Sequence, residues 1–252
     1  MENQNIKRFT ARADNYDKYR PGYPQELADY LYGSVNWSPG DVIADIAAGT
    51  GIFTETMLSW GHQIYAVEPN PEMRILAQKR LDSFKNLAFI DATAENTTLP
   101  NHSVKLITCA QAFHWFDLEK CKIEFMRIAA PEAKAAIIWN RRNAQTPFER
   151  AYEKLIISYS ANYLQVTQHR ISDDDLSCFF NPQKPDYRVF EHTDPLNFTQ
   201  LRGRTLSYSF LPEEGSEQSL QLLAELQQLF DRHQVGDIVQ LTYTTRLFLG
   251  CI

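Results

Sequence analysis

A short segment with two glycines has the clearest chemical potential in this sequence of 252 residues. Residues 45–51 read Asp-Ile-Ala-Ala-Gly-Thr-Gly; they follow an apolar run that predicts a buried strand, and they precede a predicted helix. Glycine lets the backbone adopt positive φ and come close to a ligand, and the free N–H groups at a helix start favour carboxylate or phosphate oxygens. Because turns use glycine in any case, a plain structural turn remains an alternative to a binding loop.

An acidic residue, Glu68, follows the next predicted strand, residues 62–67. A carboxylate at the end of that strand can accept hydrogen bonds from both hydroxyls of an adenosine ribose. A glycine loop, a helix and an acid in this order are typical of a nucleoside pocket at the carboxyl ends of parallel strands. The alternative is an exposed residue just before the helix that Pro69-Asn70-Pro71 predicts.

Two positions distinguish the cofactors that such a pocket could take. A dinucleotide loop needs a third glycine three positions past Gly51, where Thr54 stands. Asp45, the acid that precedes the loop, would repel a pyrophosphate but suits a ligand with a cationic sulfonium and a protonated amine. We therefore expect S-adenosylmethionine as the cofactor rather than a nicotinamide dinucleotide.

Short predicted strands alternate with predicted helices around this loop, which indicates an α/β fold with a doubly wound, mostly parallel sheet. A first helix is expected to begin at Pro24, because proline favours the first position of a helix. Strands are predicted at 42–46, 62–67, 87–90, 104–109 and 135–139, and helices at 51–60, 71–83 and 118–130. Ligands bind such sheets outside the carboxyl ends of the strands, where the loop and Glu68 are expected.

After residue 139 the regular alternation of predicted strands and helices ends. The sequence there predicts strands that close the sheet, with helical insertions that form a lid. We expect helices at 148–164 and 215–233, strands at 187–191 and 238–249, and a solvated, mobile loop at Asp173-Asp174-Asp175. The predicted division is a single domain, 1–252, with an N-terminal flap (1–23), a cofactor-binding core (40–140), a lid with insertions and a late strand (142–235) and a closing strand (236–252).

The composition argues against several classes of function. With a net charge of −6, the chain lacks the overall positive charge that non-specific binding of nucleic acid needs. Its longest apolar runs are far shorter than the roughly 20 residues that span a bilayer. The start of the chain lacks the apolar segment of a signal peptide, and four scattered cysteines predict reduced thiols without a metal site. We expect a soluble cytoplasmic protein, a monomer or homodimer, whose partner is a small-molecule substrate and neither a membrane nor nucleic acid.

Four stretches of the chain resemble the class I S-adenosylmethionine-dependent methyltransferases, and within them the small-molecule type 11 group that includes the trans-aconitate methyltransferase-like proteins. These stretches are residues 9–24, 45–51, 66–73 and 110–117, and Trp139-Asn140 fits as well. The resemblance implies a Rossmann-like, seven-stranded sheet with an antiparallel C-terminal strand and a helical lid. It also implies transfer of a methyl group to a small-molecule acceptor, a carboxylate, hydroxyl or amine, by in-line displacement.

The resemblance implies a role for each matching residue. The main chain around Ala47, Gly49 and Gly51 lines the methionine part of the cofactor, Glu68 holds the ribose, and the N-terminal stretch folds over the site. The implied cofactor-binding residues are Asp45, Ala47, Gly49, Thr50, Gly51, Glu68, Pro69, Asn70, Met73, Ala94, Glu95, Gln111, Tyr19 and Arg20, and the implied catalytic residues are His114, Trp115 and Tyr16.

The residues leave several questions open. Ala47 replaces the first glycine of the usual loop, and Thr93 stands where many relatives carry an aspartate that reads the adenine amine. His114 is either a proton acceptor at neutral pH or a side chain packed under the lid. Arg141 and Arg142 either pair with an acidic acceptor or belong to a solvated loop. The alternatives to a methyltransferase are a non-catalytic S-adenosylmethionine-binding or sensing protein and an NAD-dependent oxidoreductase.

Overall fold

A seven-stranded mixed sheet forms the centre of the protein, in a computed structural model that describes residues 13–160 and 171–252. Its strands are β1 (Val42–Ile46), β2 (Gln63–Val67), β3 (Leu87–Ile90), β4 (Val104–Ala110), β5 (Ala129–Arg142), β6 (Asp186–Leu196) and β7 (Val239–Cys251). Their order is β3-β2-β1-β4-β5-β7-β6. Strands β1 to β5 pair in parallel, and β7 runs antiparallel to both β5 and β6. This topology confirms the predicted α/β fold with a doubly wound, mostly parallel sheet and an antiparallel C-terminal strand.

Helices flank this sheet. They are α1 (Ala13–Tyr19), α2 (Gln25–Gly33), α3 (Ile52–Met57), α4 (Pro71–Leu81), α5 (Leu118–Ile128), α6 (Pro147–Ser158), α7 (Asp173–Phe180), α8 (Phe198–Leu206) and α9 (Glu217–His233). Side-chain caps begin several of them: Asn70 accepts the Met73 N–H at 3.0 Å before α4, and Asp117 accepts the Lys120 N–H at 3.2 Å before α5. These caps satisfy N–H groups that have no partner inside the helix.

Successive side chains of a strand point to opposite sides of the sheet, and helices cover both sides. The central strands are therefore buried on both faces. Ile43 and Leu106 lie in a core that β1 and β4 share with α2 and α3. Ile46 and Ile107, on the same two strands, lie in a second core with α5. A third core joins α6, α8 and α9 to β7. No helix among the described residues is both long enough and apolar enough to cross a membrane.

The order of the strands reverses at β1, because β2 pairs with one edge of β1 and β4 pairs with the other. The chain therefore leaves the carboxyl ends of β1 and β4 in opposite directions and opens a crevice between them. The glycine loop follows β1, and Gln111 follows β4, so both lie at this crevice.

The C-terminal half differs from its prediction in two places. The predicted mobile loop at Asp173–Asp175 is wrong: these residues begin helix α7, because Ser172 and Asp175 form a reciprocal capping box. The solvated loop considered for Arg141 and Arg142 is wrong as well, because both lie in β5, which pairs with β7 as far as Arg142 and Tyr243.

Several helices also begin or end at other residues than predicted. The helix predicted at 51–60 is the α-helix Ile52–Met57 followed by a 3-10 turn, and Pro24 is the N-cap of α2 rather than its first residue. Helix α6 ends at Ser158. Residues 1–12 of the predicted flap, and residues 161–170 beyond α6, lie outside the described residues.

Candidate active site

A buried carboxylate holds the carboxyl end of β1. Asp45 is 1% exposed and accepts hydrogen bonds from the Thr54 hydroxyl at 2.6 Å and the Thr108 hydroxyl at 2.8 Å. Burial raises the pKa of Asp45 to about 6, against the lowering effect of these two hydrogen bonds. Asp45 therefore ties β1 to α3 and β4, and it places a titratable acid beside the glycine loop.

The backbone of the glycine loop is left-handed at three positions. Ala47, Gly49 and Gly51 have φ values of 56°, 59° and 80°. A Cβ at Gly51 would lie 2.7 Å from the Leu81 side chain, whereas a Cβ at Gly49 would meet nothing within 4 Å. Gly51 is therefore required for packing, while the space over Gly49 is open to a ligand. For Ala47 the left-handed conformation costs about 1–2 kcal/mol.

The loop also carries a polar atom that the described residues do not satisfy. Thr50 is 1% exposed, and its hydroxyl has no hydrogen-bond partner among the described residues. Buried hydroxyls in proteins are nearly always hydrogen-bonded. The orphaned hydroxyl and the open space over Gly49 fit a polar ligand on this loop.

Glu68 connects the loop to the end of β2. Its two carboxylate oxygens accept the backbone N–H groups of Gly49 and Asn70, each at 2.8 Å. Burial raises the pKa of Glu68 to about 7, although both hydrogen bonds and the nearby Arg74 lower it. Each carboxylate oxygen keeps further acceptor capacity for a hydroxyl group.

Two adjoining cavities open at this end of the sheet. The smaller, of about 40 Å³, lies over the glycine loop, and the larger, of about 720 Å³, lies beside it. They share Tyr16, Arg20, Pro21, Gln111 and Asn140. Of the sequence-predicted site residues, the small cavity collects Asp45, Ala47, Gly49, Thr50, Gln111, Arg20 and Tyr16, and the large one adds His114 and Trp115.

The other predicted residues line neither of these two cavities; they are Gly51, Glu68, Pro69, Asn70, Met73, Ala94, Glu95 and Tyr19. Met73 and Ala94 are buried at 3% and 1% exposure, and the Asn70 side chain caps α4. The Tyr19 ring packs against α8, where a Cβ on Gly203 would lie 2.2 Å from it. The structure thus brings Ala47 and Gly49, predicted for the methionine part, to the small cavity, and it leaves Gly51 and the residues predicted for the adenosine part outside both cavities.

Arginine side chains dominate the charge of the large cavity. Among the described residues, Arg20, Arg141, Arg142 and Arg246 line it together with a single acid, Glu153. Arg142 is ion-paired to Glu153 and also donates a hydrogen bond to the Tyr208 hydroxyl. No residue in the described part of the chain pairs with the Arg141 guanidinium, which is exposed at the cavity wall. The cavity therefore has an excess of positive charge.

Arg20 lies between two aromatic rings over the junction of the cavities. Its guanidinium carbon is 4.6 Å from the ring centroids of both Tyr16 and Tyr208, and it donates a hydrogen bond to the Ser207 carbonyl at 3.1 Å. The Arg20 Nε is buried and has no partner among the described residues, and the same is true of the Asn143 Nδ2 in the wall of the large cavity. Both atoms are hydrogen-bond donors that a ligand rich in oxygen would satisfy.

Gln111 and Asn140 fix the wall between the cavities. Gln111 has a left-handed backbone, with φ of 62°, and its side-chain amide donates to the Asn140 carbonyl at 2.8 Å. The Asn140 amide in turn donates to the Gly22 carbonyl at 2.8 Å and accepts from the Thr245 hydroxyl. A strained residue that its neighbours hold in place is a recurrent feature of functional sites.

A short 3-10 turn after β4, Phe113–Trp115, carries the two aromatic residues predicted to face the substrate. The His114 and Trp115 rings are 4.7 Å apart. His114 is 8% exposed, and its Nδ1 accepts a hydrogen bond from the indole N–H of Trp139 at 3.4 Å. His114 is therefore packed, as one of the two alternatives from the sequence had it, and it also lines the large cavity.

Several cavity residues were missed by sequence reasoning, among them Asn143, Tyr208 and Arg246. They come from β5, α8 and β7, or from the chain just beyond them, so no local motif joins them to the glycine loop. The pairing of β5 with β7 places Arg246 opposite Trp139. Knowledge of this register would have been needed to predict Arg246 as a cavity residue. Within residues 13–160 and 171–252, no group of three or more His, Cys, Asp or Glu could hold a metal ion.

Known proteins resemble this chain in both sequence and fold. Residues 44–137 match a family described as a methyltransferase domain. An uncharacterized methyltransferase-like protein of Schizosaccharomyces pombe is 29% identical over 251 residues, which cover 98% of this chain and 96% of that protein. A solved structure assigned as a type II methyltransferase from Anaeromyxobacter dehalogenans aligns with a TM-score of 0.68 at 21% identity, covering 92% of this chain and 98% of that one. A geranyl diphosphate methyltransferase in complex with S-adenosylmethionine aligns with a TM-score of 0.51 at 12% identity, covering 90% and 85%.

Proposed function

We propose that this chain, whose residues 44–137 match a family described as a methyltransferase domain, is a class I S-adenosylmethionine-dependent methyltransferase that transfers a methyl group to a small anionic acceptor, a carboxylate. The observation that carries the proposal is the arginine-lined cavity of about 720 Å³ beside the glycine loop. Its volume lies in the range of pockets for small molecules. A cavity of this size next to the loop favours an enzyme over a protein that only binds or senses the cofactor, because a sensor needs no room for an acceptor.

The loop residues fit the cofactor. The left-handed backbone and open space at Gly49, the orphaned Thr50 hydroxyl and the buried Asp45 offer close approach, a hydrogen bond and a negative charge. These suit the carboxylate, hydroxyl and amine groups of a nucleoside-linked amino acid, and Glu68 is the candidate for the ribose. When bound, the cofactor supplies an electrophilic methyl group on a positively charged sulfur.

The charge of the cavity favours a carboxylate among the three possible acceptors. Within the described part of the chain, four arginines against one glutamate give the lining an excess of three positive charges, whereas the net charge of the whole chain is −6. Such a wall attracts an anion and repels an amine that is protonated at neutral pH. A carboxylate is also a nucleophile as it stands, so its methylation needs no proton removal.

The work left to the protein is orientation and exclusion of water. Arg141 and Arg246 line the large cavity and are the candidates for binding carboxylate oxygens, for which the guanidinium geometry is suited. Tyr16 and Arg20 cover the junction between the cavities, and Gln111 fixes its wall. Holding two reactants in line in this way is a large source of rate enhancement.

A methyl-transfer screen with radiolabelled S-adenosylmethionine tests the proposal. Benzoate, phenol and benzylamine form a set of similar shape with three different charges and nucleophiles. We expect label transfer to benzoate as a base-labile methyl ester and none to benzylamine. We also expect Arg141→Gln and Arg246→Gln to raise the KM for benzoate, while Arg232→Gln, exposed on α9 outside both cavities, leaves it unchanged. Methylation of phenol or benzylamine in preference to benzoate would contradict the proposal.

A further inference from the structure

The C-terminal ends of α1 and α8 hold each other through a reciprocal pair of hydrogen bonds from arginine to a main-chain carbonyl. The Nε of Arg204, on α8, donates to the carbonyl of Tyr19, the last residue of α1, at 2.7 Å. The Nη2 of Arg20, just past α1, donates to the carbonyl of Ser207, the C-cap of α8, at 3.1 Å. The last carbonyls of a helix have no partner inside it and carry partial negative charge, so both bonds are favourable.

Arg204 is itself fixed by two strands of the sheet. It is 6% exposed, and its Nη1 donates to the Tyr243 hydroxyl at 2.9 Å and is ion-paired to Asp194. Tyr243 lies on β7 and is 2% exposed, and Asp194 lies on β6. A guanidinium presents its donors in fixed directions within one plane. Arg204 therefore joins the end of α1 to the two strands that close the sheet.

Helix α1 packs more firmly on α8 than on α4. A Cβ on Gly203 would lie 2.2 Å from the Tyr19 ring, so a larger residue at 203 would push this ring away. Towards α4, α1 is tied by an ion pair of 2.9 Å between Asp17 and Arg80, whose side chains are 27% and 29% exposed. Ion pairs open to solvent are weakened by salt and contribute less than buried, charge-assisted hydrogen bonds. The position of α1 therefore depends mainly on α8.

We propose that Arg204 is a positioning residue for methyl transfer, which clamps the end of α1 on α8 and thereby holds Arg20 and Tyr16 over the junction of the two cavities. This inference rests on the proposed function, since these cavities are the candidate sites for cofactor and acceptor. Arg20 and Tyr16 line both cavities, whereas Arg204 lines neither and acts through the end of α1. A shift of α1 would open the junction, and in-line transfer depends strongly on how the two reactants are held.

Hydrogen exchange of the backbone amides tests the clamp in the protein without ligand. Arg204→Lys keeps a positive charge beside Asp194, but one ammonium group cannot replace guanidinium nitrogens that bond to Tyr19 and to Tyr243. We expect Arg204→Lys to speed exchange in residues 13–20 by about 10- to 100-fold, as loss of a hydrogen bond to a charged group does, and to leave β1 unchanged. Natural exchange in residues 13–20 of this variant would overturn the proposal.

The same substitution at another arginine of α8 is the matched control. Arg202 is ion-paired to Glu214, and their side chains are 43% and 50% exposed. A lysine can keep such an exposed pair, so we expect Arg202→Lys to show natural exchange in residues 13–20. If Arg202→Lys sped this exchange as much as Arg204→Lys, a general loosening of α8 would explain both results, and the clamp would be wrong.

A double-substitution cycle tests whether Arg204 acts on transfer through Arg20. In transfer from S-adenosylmethionine to benzoate, we expect Arg204→Lys to lower kcat/KM by about 10- to 100-fold. In an Arg20→Gln background we expect the same change to cost about threefold or less, because the main group that the clamp positions is already gone. An equal loss in both backgrounds would show that Arg204 acts independently of Arg20, and it would overturn the positioning role.

The outcomes also distinguish this inference from the proposed function. Failure of the natural protein to bind S-adenosylhomocysteine would refute the proposed function, whereas the clamp is read by hydrogen exchange in the protein alone. Each variant must keep the natural circular dichroism spectrum. If Arg204→Lys does not fold, Arg20→Gln carries the test, because it removes the bond to Ser207 and leaves the contacts of Arg204 in place. Natural exchange in residues 13–20 of Arg20→Gln would then overturn the proposal.

Discussion

The affinity of the protein for S-adenosylhomocysteine should rise with pH because of Glu68, and Glu68→Gln should remove that rise. Burial raises the pKa of Glu68 from 4.5 to about 7, so its carboxyl group is mostly protonated at pH 6 and mostly ionised at pH 8. The ionised form can accept a hydrogen bond from each ribose hydroxyl while it keeps those from the Gly49 and Asn70 N–H groups. The protonated form gives up part of this acceptor capacity.

The magnitude follows from the titration of one group. With a pKa of about 7, roughly one-tenth of Glu68 is ionised at pH 6 and roughly nine-tenths at pH 8. Binding that selects the ionised form therefore strengthens about tenfold over this interval, which corresponds to about 1.4 kcal/mol. Glutamine does not titrate, and it replaces charge-assisted hydrogen bonds by neutral ones. We expect Glu68→Gln to weaken binding at pH 8 by about 10- to 100-fold.

Isothermal titration calorimetry at pH 6, 7 and 8 measures both effects. At each pH, the dissociation constant of the natural protein is divided by that of Glu68→Gln. This ratio removes the effect of titration of the cofactor's own amine and of Asp45, whose pKa burial raises to about 6, because both proteins share these groups. Parallel pH profiles in the two proteins would refute the reasoning. Without cofactor the sign reverses: the folded protein holds the Glu68 proton more tightly than the unfolded chain does. Its contribution to stability is therefore present below about pH 4.5 and lost as the pH rises through about 7.

Three further predictions concern backbone and packing. Ala47→Gly should raise the free energy of unfolding by about 0.5–1 kcal/mol in urea titrations, because glycine removes the left-handed strain at φ 56° but costs entropy; Ala48→Gly, where φ is not positive, should lower it. Gly203→Ala should lower the free energy of unfolding by about 1–3 kcal/mol and weaken cofactor binding, because its Cβ would lie 2.2 Å from the ring of Tyr19 on α1. Gly33→Ala, with open space around its Cβ, is the matched control. Ser172→Ala should lower the melting temperature, because it removes the N-cap of α7, worth about 1 kcal/mol. The strain argument would be contradicted by an Ala47→Gly variant less stable than Ala48→Gly, and the packing argument by a Gly203→Ala variant as stable as Gly33→Ala. An unchanged melting temperature for Ser172→Ala would contradict the role of Ser172 as a cap.

The cofactor half of the fold could be predicted because its information is local. Strands β1, β2 and β4 are short apolar runs that are each followed by a helix, and the start of such a helix can be recognisable, as at the Asn70-Pro71 cap of α4. The right-handed crossover rule then leaves few ways to assemble these units. The glycine loop and Gln111 meet because both follow strands that are neighbours at the point where the order reverses.

The large cavity could not be predicted in the same way, because it depends on pairings between distant parts of the chain. Its wall combines Arg20 near α1 with residues of β5, α8 and β7. The side of the sheet that each β7 residue faces depends on the register with β5, and a shift by one residue would exchange the two sides. Helix α7 was missed for a different reason: three consecutive aspartates suggest a solvated loop unless Ser172 is recognised as the cap that makes them a first turn.

The alternation along β7 also bears on how acceptor selectivity could diverge. Leu241 and Leu247 are buried in the cores that close the sheet, whereas Thr244 and Arg246, on the intervening positions, line the large cavity. Core residues and residues of the cavity wall thus share one strand, and Tyr243, which is buried in the core and also lines the cavity, belongs to both. Substitutions at 244 and 246 can exchange the polarity of the cavity wall while the hydrogen-bonded register with β5 and the apolar core remain as they are. The last strand is therefore the natural place to diversify when variants are selected for new acceptors.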